Sequence, residues 1–371
     1  MTQVHADQTD TGTVGNERAW IREAHGLVSD LMRHRPAVYW ADLLASSALA
    51  WASTALYFTA DPWSGWQLLG LILAGIGFYR AGTFMHEIIH MPSGVLVNFK
   101  RAWNVLVGIP LLMPWILYKN HIGHHSRAHF GTPADGEYLP LASAPLRDTL
   151  LYLLKLPVLS LMVVARFAIA APLSWLLPPL REWVLTRASA YASNPYYSKR
   201  FPRRDERHLL IVEIGSLAWI GFWLAMTWFG PVEPVHWLMA WVLHAFTLGL
   251  NWVRNLAAHR YDNRGDALSH IAQLQDAVNI TGQSWLTVWL FPVGLRYHAL
   301  HHLFPGLPYH NMGAAHRRLI KHFPDGSPYS LANHESFFGV VGALLRGARS
   351  TRPENSAIAV WRQAGQRRTS R

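Results

Sequence analysis

The sequence predicts an all-α polytopic membrane protein, with about four transmembrane helices in two hairpins and a histidine-rich metal-binding cap on the cytoplasmic side. Three observations predict it. Of 371 residues, 51% are hydrophobic and only 15% are charged, against roughly 25% charged in a typical soluble domain. The apolar residues gather into segments near the roughly 20 residues that cross a hydrocarbon core, and the 18 Trp residues suit membrane interfaces, where an amphipathic ring is half wet. Three histidine clusters then flank these segments: His86-Glu-Ile-Ile-His90, His121-Ile-Gly-His124-His125 and His298-Ala-Leu-His301-His302.

Taken in order, residues 1–36 are polar and charged, with no short apolar core followed by a small-residue cleavage site, and read as a cytoplasmic segment rather than a signal peptide. Residues 37–348 form one membrane domain. Its first span is expected at about Ala37 to Ala60 and its second from about Trp66 to Tyr79 or beyond, running into the first histidine cluster. Ala102 to Tyr118 is short and carries Pro110 and Pro114, so it reads as a re-entrant or interfacial hairpin. Leu150 to Leu180 is long, but Lys155, Pro157, Arg166, Pro172, Pro178 and Pro179 interrupt it, and an interfacial amphipathic pair is expected. The third span covers about Leu209 to Phe229 and the fourth about Trp237 to Trp252. The links inside each pair, Asp61 to Gly65 and Gly230 to Pro234, lack Lys and Arg, whereas Arg33, Arg35, Arg80, Lys100, Arg101, Lys119 and the run from Lys199 to Arg207 lie on the other side. The positive-inside rule then sets both hairpin tips outside and both termini, with all three clusters, in the cytoplasm. Residues 349–371 read as a basic, loosely ordered tail.

The net charge of +11 is accounted for by these flanking bases, and no basic stripe or nucleic-acid motif accompanies it. With no cysteine, the chain forms no disulfide, zinc–thiolate site or cysteine-bound iron–sulfur cluster.

Each cluster repeats a spacing of three or four residues, so a helix presents its imidazoles on one face. Eight imidazoles in three groups exceed what one metal ion can use, and their setting points to a pair of ions, with iron expected. Imidazole alone does not choose the metal, because iron, copper and zinc all accept it. His86, Glu87 and His90 also match the zinc-protease pattern, in which two helical histidines bind zinc and the glutamate acts as base.

The order and spacing of the boxes, together with Asn255-Leu-Ala-Ala-His259 and the run His301-His302-Leu-Phe-Pro-Gly-Leu-Pro-Tyr, resemble the membrane fatty-acid desaturase and hydroxylase superfamily over roughly Ala37 to Leu319. The resemblance implies two iron ions held by His86, His90, His121, His124, His125, His298, His301 and His302, with His259 as a ninth ligand and Asn255 acting through a bound water or a neighbouring ligand. It also implies dioxygen as co-substrate. In this chain the first box has three residues between its histidines, where animal-type acyl-CoA desaturases usually have four, so the acyl carrier stays open among coenzyme A, a glycerolipid, a sphingolipid and a free acid. There is no His-Pro-Gly-Gly signature of a fused cytochrome b5, which implies a separate electron donor of the ferredoxin or cytochrome b5 type, drawn to the basic face by charge.

Such a site can take hydrogen from an unactivated methylene held in a dry channel. Loss of a second, neighbouring hydrogen gives an alkene, and return of oxygen gives an alcohol. The expected function is therefore an oxygen-dependent di-iron oxidase of lipid acyl chains, first of all a fatty-acid desaturase. The alternatives are a hydroxylase, a carotenoid ketolase or a decarboxylase forming terminal alkenes, and, in another class, a zinc-dependent membrane hydrolase using His86, Glu87 and His90. The expected setting is a multi-pass position in a bacterial inner membrane, ahead of the endoplasmic reticulum. Among the remaining histidines, His129, His310 and His316 could orient ligands, His244 could bridge helices within the fourth span, and His5, His25, His34, His322 and His334 read as solvated. Asp135 and Glu137 either order the loop after the second box or face solvent.

Overall fold

A computed structural model describes the backbone of residues 6–369, which is mostly helical with almost no strand. After a first helix, α1 (Ala6–Gly26), the membrane part opens with α2 (Pro36–Thr59) and α3 (Gly65–His90). Pro36 starts α2 where a missing N–H costs nothing. The Ser64 hydroxyl caps α3 by accepting from the Gln67 N–H at 3.1 Å. The two helices meet through glycines: a Cβ on Gly70 would lie 2.6 Å from the Tyr57 nitrogen, and one on Gly77 would lie 2.8 Å from that of Ala50. Small residues one or two turns apart let helix backbones approach closely where the surroundings offer no hydrophobic drive. A bidentate pair closes the other end, with Arg80 Nε 2.7 Å from Asp42.

The chain next runs through α4 (Val97–Trp103) and a π turn over Asn104–Gly108, reverses, and returns through Trp115–Tyr118 to α5 (His121–His124). Trp51, in the middle of α2, donates to the Leu106 carbonyl at 3.0 Å, so this excursion reaches well along α2 before turning back, as Pro110 and Pro114 led one to expect.

Beyond α6 (Leu146–Leu154) comes α7, a continuous helix over Leu156–Leu176. Here the structure departs from the sequence expectation. Among the described residues, three helices are long and apolar enough to cross a membrane: Gly65–His90, Leu156–Leu176 and Arg203–Phe229. The four expected spans are thus only partly matched. The helices over 36–59 and 234–255 form where expected, but Asp42, Ser46, Ser47, Ser53 and Thr54 dilute the first, and His236, His244, Asn251 and Arg254 dilute the second. Conversely, α7 was expected as part of an interrupted pair. Its π turn at Arg166–Ala170, with Ala171 N–H bonded to the Arg166 carbonyl, absorbs Pro172 without breaking the helix.

α8 (Pro178–Arg187) folds back against α7, and α9 (Glu206–Phe229) and α10 (Pro234–Asn255) make the second hairpin. Trp237 Nε1 donates to Thr227 Oγ1 at 2.9 Å beside its link. Arg166 and Trp175, nine positions apart on α7, both bond Glu213 of α9, at 2.6 and 3.1 Å. Two such sites meeting one residue mean that α7 crosses α9 instead of running along it. His244 has the bridging role expected: its Nε2–H donates to the Leu111 carbonyl at 3.0 Å, and its Nδ1 accepts from the Ser160 hydroxyl at 2.5 Å. It ties the excursion over 97–118, α7 and α10 together.

The cap is built from α11 (His270–Asp276), α12 (Ser284–Leu290), α13 (His298–Leu303), α14 (Tyr309–His322) and α15 (Phe337–Ser350). Two-residue strands at Asn279–Ile280 and Asn333–His334 pair in parallel between them. The segment after 348 is not the loose tail expected, since Trp361 is fully buried and donates to the Arg264 carbonyl at 2.9 Å.

Glu213 is fully buried between Arg166 and Arg181, which bond it at 2.6 and 2.8 Å. Replacing it by Ala strands two guanidinium groups and is expected to cost about 3–5 kcal/mol. Thermal unfolding in detergent should show a large drop for Glu213→Ala, a smaller one for Glu213→Gln, and none for Arg204→Ala at the exposed end of the same region.

Candidate metal centre

Four pieces of chain deliver the nine predicted histidines to one buried space. The last turn of α3 carries His86 and His90, α5 and its C-cap carry His121, His124 and His125, the turn after α10 carries His259, and α13 carries His298, His301 and His302. Two four-histidine groups result, His86, His90, His121 and His301, and His124, His259, His298 and His302, each with its ring nitrogens within 4.8 Å of one another. His125 Nε2 lies 3.0 Å from His121 Nε2 and 3.1 Å from His301 Nε2, and so joins the first group. The helical spacing explains the division. Pairs four apart (86/90, 121/125, 298/302) stay together, while the third member of each longer box, His124 or His301, turns toward the other group.

Three carboxylates orient these rings. His121 Nδ1–H donates to Glu137 at 2.8 Å, His124 Nδ1–H to Asp135 at 2.8 Å, and His259 Nδ1–H to Asp276 at 3.0 Å. Each bond fixes the tautomer and leaves the Nε2 lone pair pointing inward. Tyr118 and Tyr138 donate in turn to Glu137 and Asp276, at 2.7 and 2.9 Å. Backbone pairing positions Asp276: Val278 N–H bonds the Ala258 carbonyl and Arg260 N–H the Asp276 carbonyl, laying 276–278 against 258–260. Asn279 continues this register, pairing with Tyr297 and accepting from Leu300 N–H at 3.1 Å, which fixes α13.

The donor set fits a pair of metal ions. His124 Nε2 and His259 Nε2 lie only 3.1 Å apart, and His298 Nε2 lies 3.0 Å from His259 Nε2. Nitrogens this close repel unless a shared proton or a metal ion lies among them. His86 Nε2, His90 Nε2 and both nitrogens of His302 are buried with no hydrogen-bond partner, which buried polar atoms seldom tolerate. Burial pushes His121, His125, His259, His298, His301 and His302 well below the usual imidazole range, so they stay neutral and able to ligate. Burial opposes charge on His124 too, but the Asp135 carboxylate outweighs it. Burial lifts Glu137 and Asp276 to about 7.

Glu87 does not join the site. It accepts from the Tyr39 hydroxyl at 2.6 Å and from Tyr309 N–H at 3.2 Å, around the helix from the two histidines. The zinc-hydrolase expectation loses its base, because Tyr39 and Tyr309 hold the Glu87 carboxylate. Asn255 stands at the end of α10 with its carbonyl accepting from Tyr261 at 2.8 Å, and lines the same cavity as His259 and His298. His129 bonds Ser126, His316 bonds Tyr329, and His310 accepts from Arg35 N–H, so these three contact other partners than the boxes. His322 pairs with Glu23, His25 packs on the Phe304 ring, and His5 lies outside the described residues.

A cavity of about 470 Å³ adjoins the histidines. His86, His121, His124, His259 and His298 line one part of it, with Ser193, Asn194 and Tyr197 beside them, and Leu111, Leu159, Met162, Val163 and Leu248 line an apolar throat. Sequence reasoning missed Asp276, which nothing but its place in the fold marks, and Arg254, a buried cation on the cavity wall.

A fatty acid desaturase family model matches residues 62–332. A ceramide hydroxylase of Caulobacter vibrioides is 37% identical over 343 residues, 90% of this chain and 95% of that protein. An acyl-lipid (8-3)-desaturase of Thraustochytrium sp is 25% identical over 65% of this chain, and a chloroplastic omega-6 fatty acid desaturase of Brassica napus 23% identical over 68%. The chain spans about half the length of these two, 53% and 54%.

Metal analysis of purified protein should find two irons per chain. His124→Ala and His259→Ala should each lose about one, and Asp276→Asn should weaken iron binding about 10- to 100-fold by releasing the His259 ring. Glu87→Gln should keep both ions. A full complement in His259→Ala would remove that residue from the ligands.

Proposed function

The chain belongs to the fatty acid desaturase family, and on that premise we propose that it is a di-iron, dioxygen-dependent hydroxylase of a ceramide-like membrane lipid. The observation that carries the oxidase reading is the junction of nine converging imidazoles with an apolar throat. The choice of hydroxylation and of a ceramide rests on the Caulobacter relative, whose similarity runs through nearly its whole length. The sequence expectation of a double bond becomes the second reading, supported by the family match and the two desaturases.

His86, His90, His121, His125 and His301 would hold one ion, and His124, His259, His298 and His302 the other, with Asn255 placed to act through water. Once bound, the two irons supply activation of dioxygen for attack on an unreactive C–H bond. The chain's own work is to hold and shield. Glu137, Asp135 and Asp276 keep three rings turned inward. The throat keeps the lipid chain away from water. The overall conversion sets one oxygen atom of dioxygen into a C–H bond and reduces the other to water, with two electrons and two protons. A separate donor of the ferredoxin or cytochrome b5 type supplies the electrons, and the basic cytoplasmic surface attracts an acidic carrier. The membrane domain over 37–348 sits in a bacterial inner membrane with both termini in the cytoplasm, a topology supported by the absence of Lys and Arg from both hairpin links.

Purified enzyme given a ceramide, reduced ferredoxin and isotopically heavy dioxygen should yield a product that has gained one labelled oxygen. A product that has lost two hydrogens and carries no label would move the assignment to desaturation. A hydrocarbon one carbon shorter would mean decarboxylation, and turnover without dioxygen would defeat the oxidase reading altogether.

A further inference from the structure

Arg254 sits in the last turn of α10, five positions before His259, and only 6% of it is exposed. Its Nη2 donates to Asn251 Oδ1 at 2.7 Å, its Nε is buried with no partner, and no carboxylate among the described residues pairs with it. A guanidinium deprived of water and of a counter-charge is costly, and a buried N–H without an acceptor adds to that cost. Evenly apolar surroundings would have served the fold better, so the group calls for a ligand.

Its position says which kind. Arg254 and Asn251 share the cavity wall with His86 and His298. Asn251 gives its carbonyl oxygen to Arg254, which leaves its amide N–H groups to donate. The hydroxyl proton of Tyr79, against the same guanidinium, is engaged with the Leu290 carbonyl at 2.8 Å. The group therefore offers donors to one incoming acceptor oxygen. The throat leads away from it: His244, which bonds Leu111 and Ser160, lies ten positions earlier on α10, roughly 15 Å along the axis.

We propose that Arg254 and Asn251 form a buried subsite for the acceptor oxygen at the polar end of a lipid chain, an amide carbonyl or a carboxylate, and that the tail fills the throat. Because the subsite lies beside the histidines, oxidation falls on carbons next to the polar end and not in mid-chain. This rests on the lipid-oxidase reading above and adds a substrate anchor and a position of attack to it.

Binding and product analysis test it with iron-loaded protein in nanodiscs. By tryptophan quenching, Arg254→Met should bind an N-dodecanoyl ceramide at least tenfold more weakly than wild type, while dodecane binds both alike. Arg254→Lys, with the charge but not the planar fork, should recover part of the loss, and Asn251→Ala should weaken ceramide at least threefold. The wild-type product should carry its new oxygen close to the amide. Unchanged binding of both ceramide and dodecanoate by an Arg254→Met protein that retains its iron overturns the subsite, as does mid-chain oxidation by the wild type. Should Arg254→Met lose its iron, Asn251→Ala decides, and unchanged binding there overturns it equally. If dodecanoate shows the Arg254 dependence and ceramide does not, the subsite stands and the ceramide assignment falls. Tight, Arg254-dependent ceramide binding without any oxidation separates failure of the proposed function from failure of the subsite.

Discussion

The Nε2 atoms of His124 and His259 face each other across 3.1 Å, both rings buried, and the rest of the cap is arranged to hold that contact in place. Unconstrained imidazoles would rotate apart or exchange tautomers until one ring donated to the other. Here Asp135 and Asp276 take the Nδ1 protons, and Tyr138 fastens Asp276 from behind. Cations at the two foci would relieve that crowding. The cap thus resembles a preset socket in which the cost of assembling like dipoles has been met by carboxylates placed one layer further out.

The spacing of the boxes was enough to read eight of the nine imidazoles, because residues three and four apart on a helix are neighbours whatever the rest of the fold does. What that spacing did not convey is the exchange of His124 and His301 between groups, which depends on how α5 and α13 face each other. Glu87 was ambiguous in sequence for a similar reason. Its neighbours fit a protease pattern, and only the packing of Tyr39 and Tyr309 shows that it looks elsewhere. Asp276 belongs to no motif and acquires its meaning from strand-like pairing with 258–260. Arg254 reads as an ordinary basic residue at a span end until its burial is seen. The apolar run over Leu156–Leu176 looks interrupted in sequence by its prolines and Arg166, whereas in the structure one π turn and a buried Glu213 absorb them.

The membrane part serves the cap by keeping a throat open and dry. Three separate pieces of chain, the excursion over 97–118, α7 and α10, converge on His244, whose two ring nitrogens are both engaged. A neutral, fully bonded imidazole pins backbone and hydroxyl groups together without bringing a charge into the apolar region. The close glycine contacts between α2 and α3 work on the opposite side, holding the helix that carries His86 and His90 at a fixed depth. The throat and the cap therefore share a wall.

The division of the histidines also sets an order in time. Four members of the first group, His86, His90, His121 and His125, lie within the first 125 residues of the chain, whereas three of the four in the second, His259, His298 and His302, come long afterward. At about 5–20 residues per second of synthesis, some tens of seconds separate the appearance of His125 from that of His301. A nascent chain holds at most a partial, unpaired cluster during that interval. Both histidine groups are complete only when α13 docks, so neither closes on an unfinished protein.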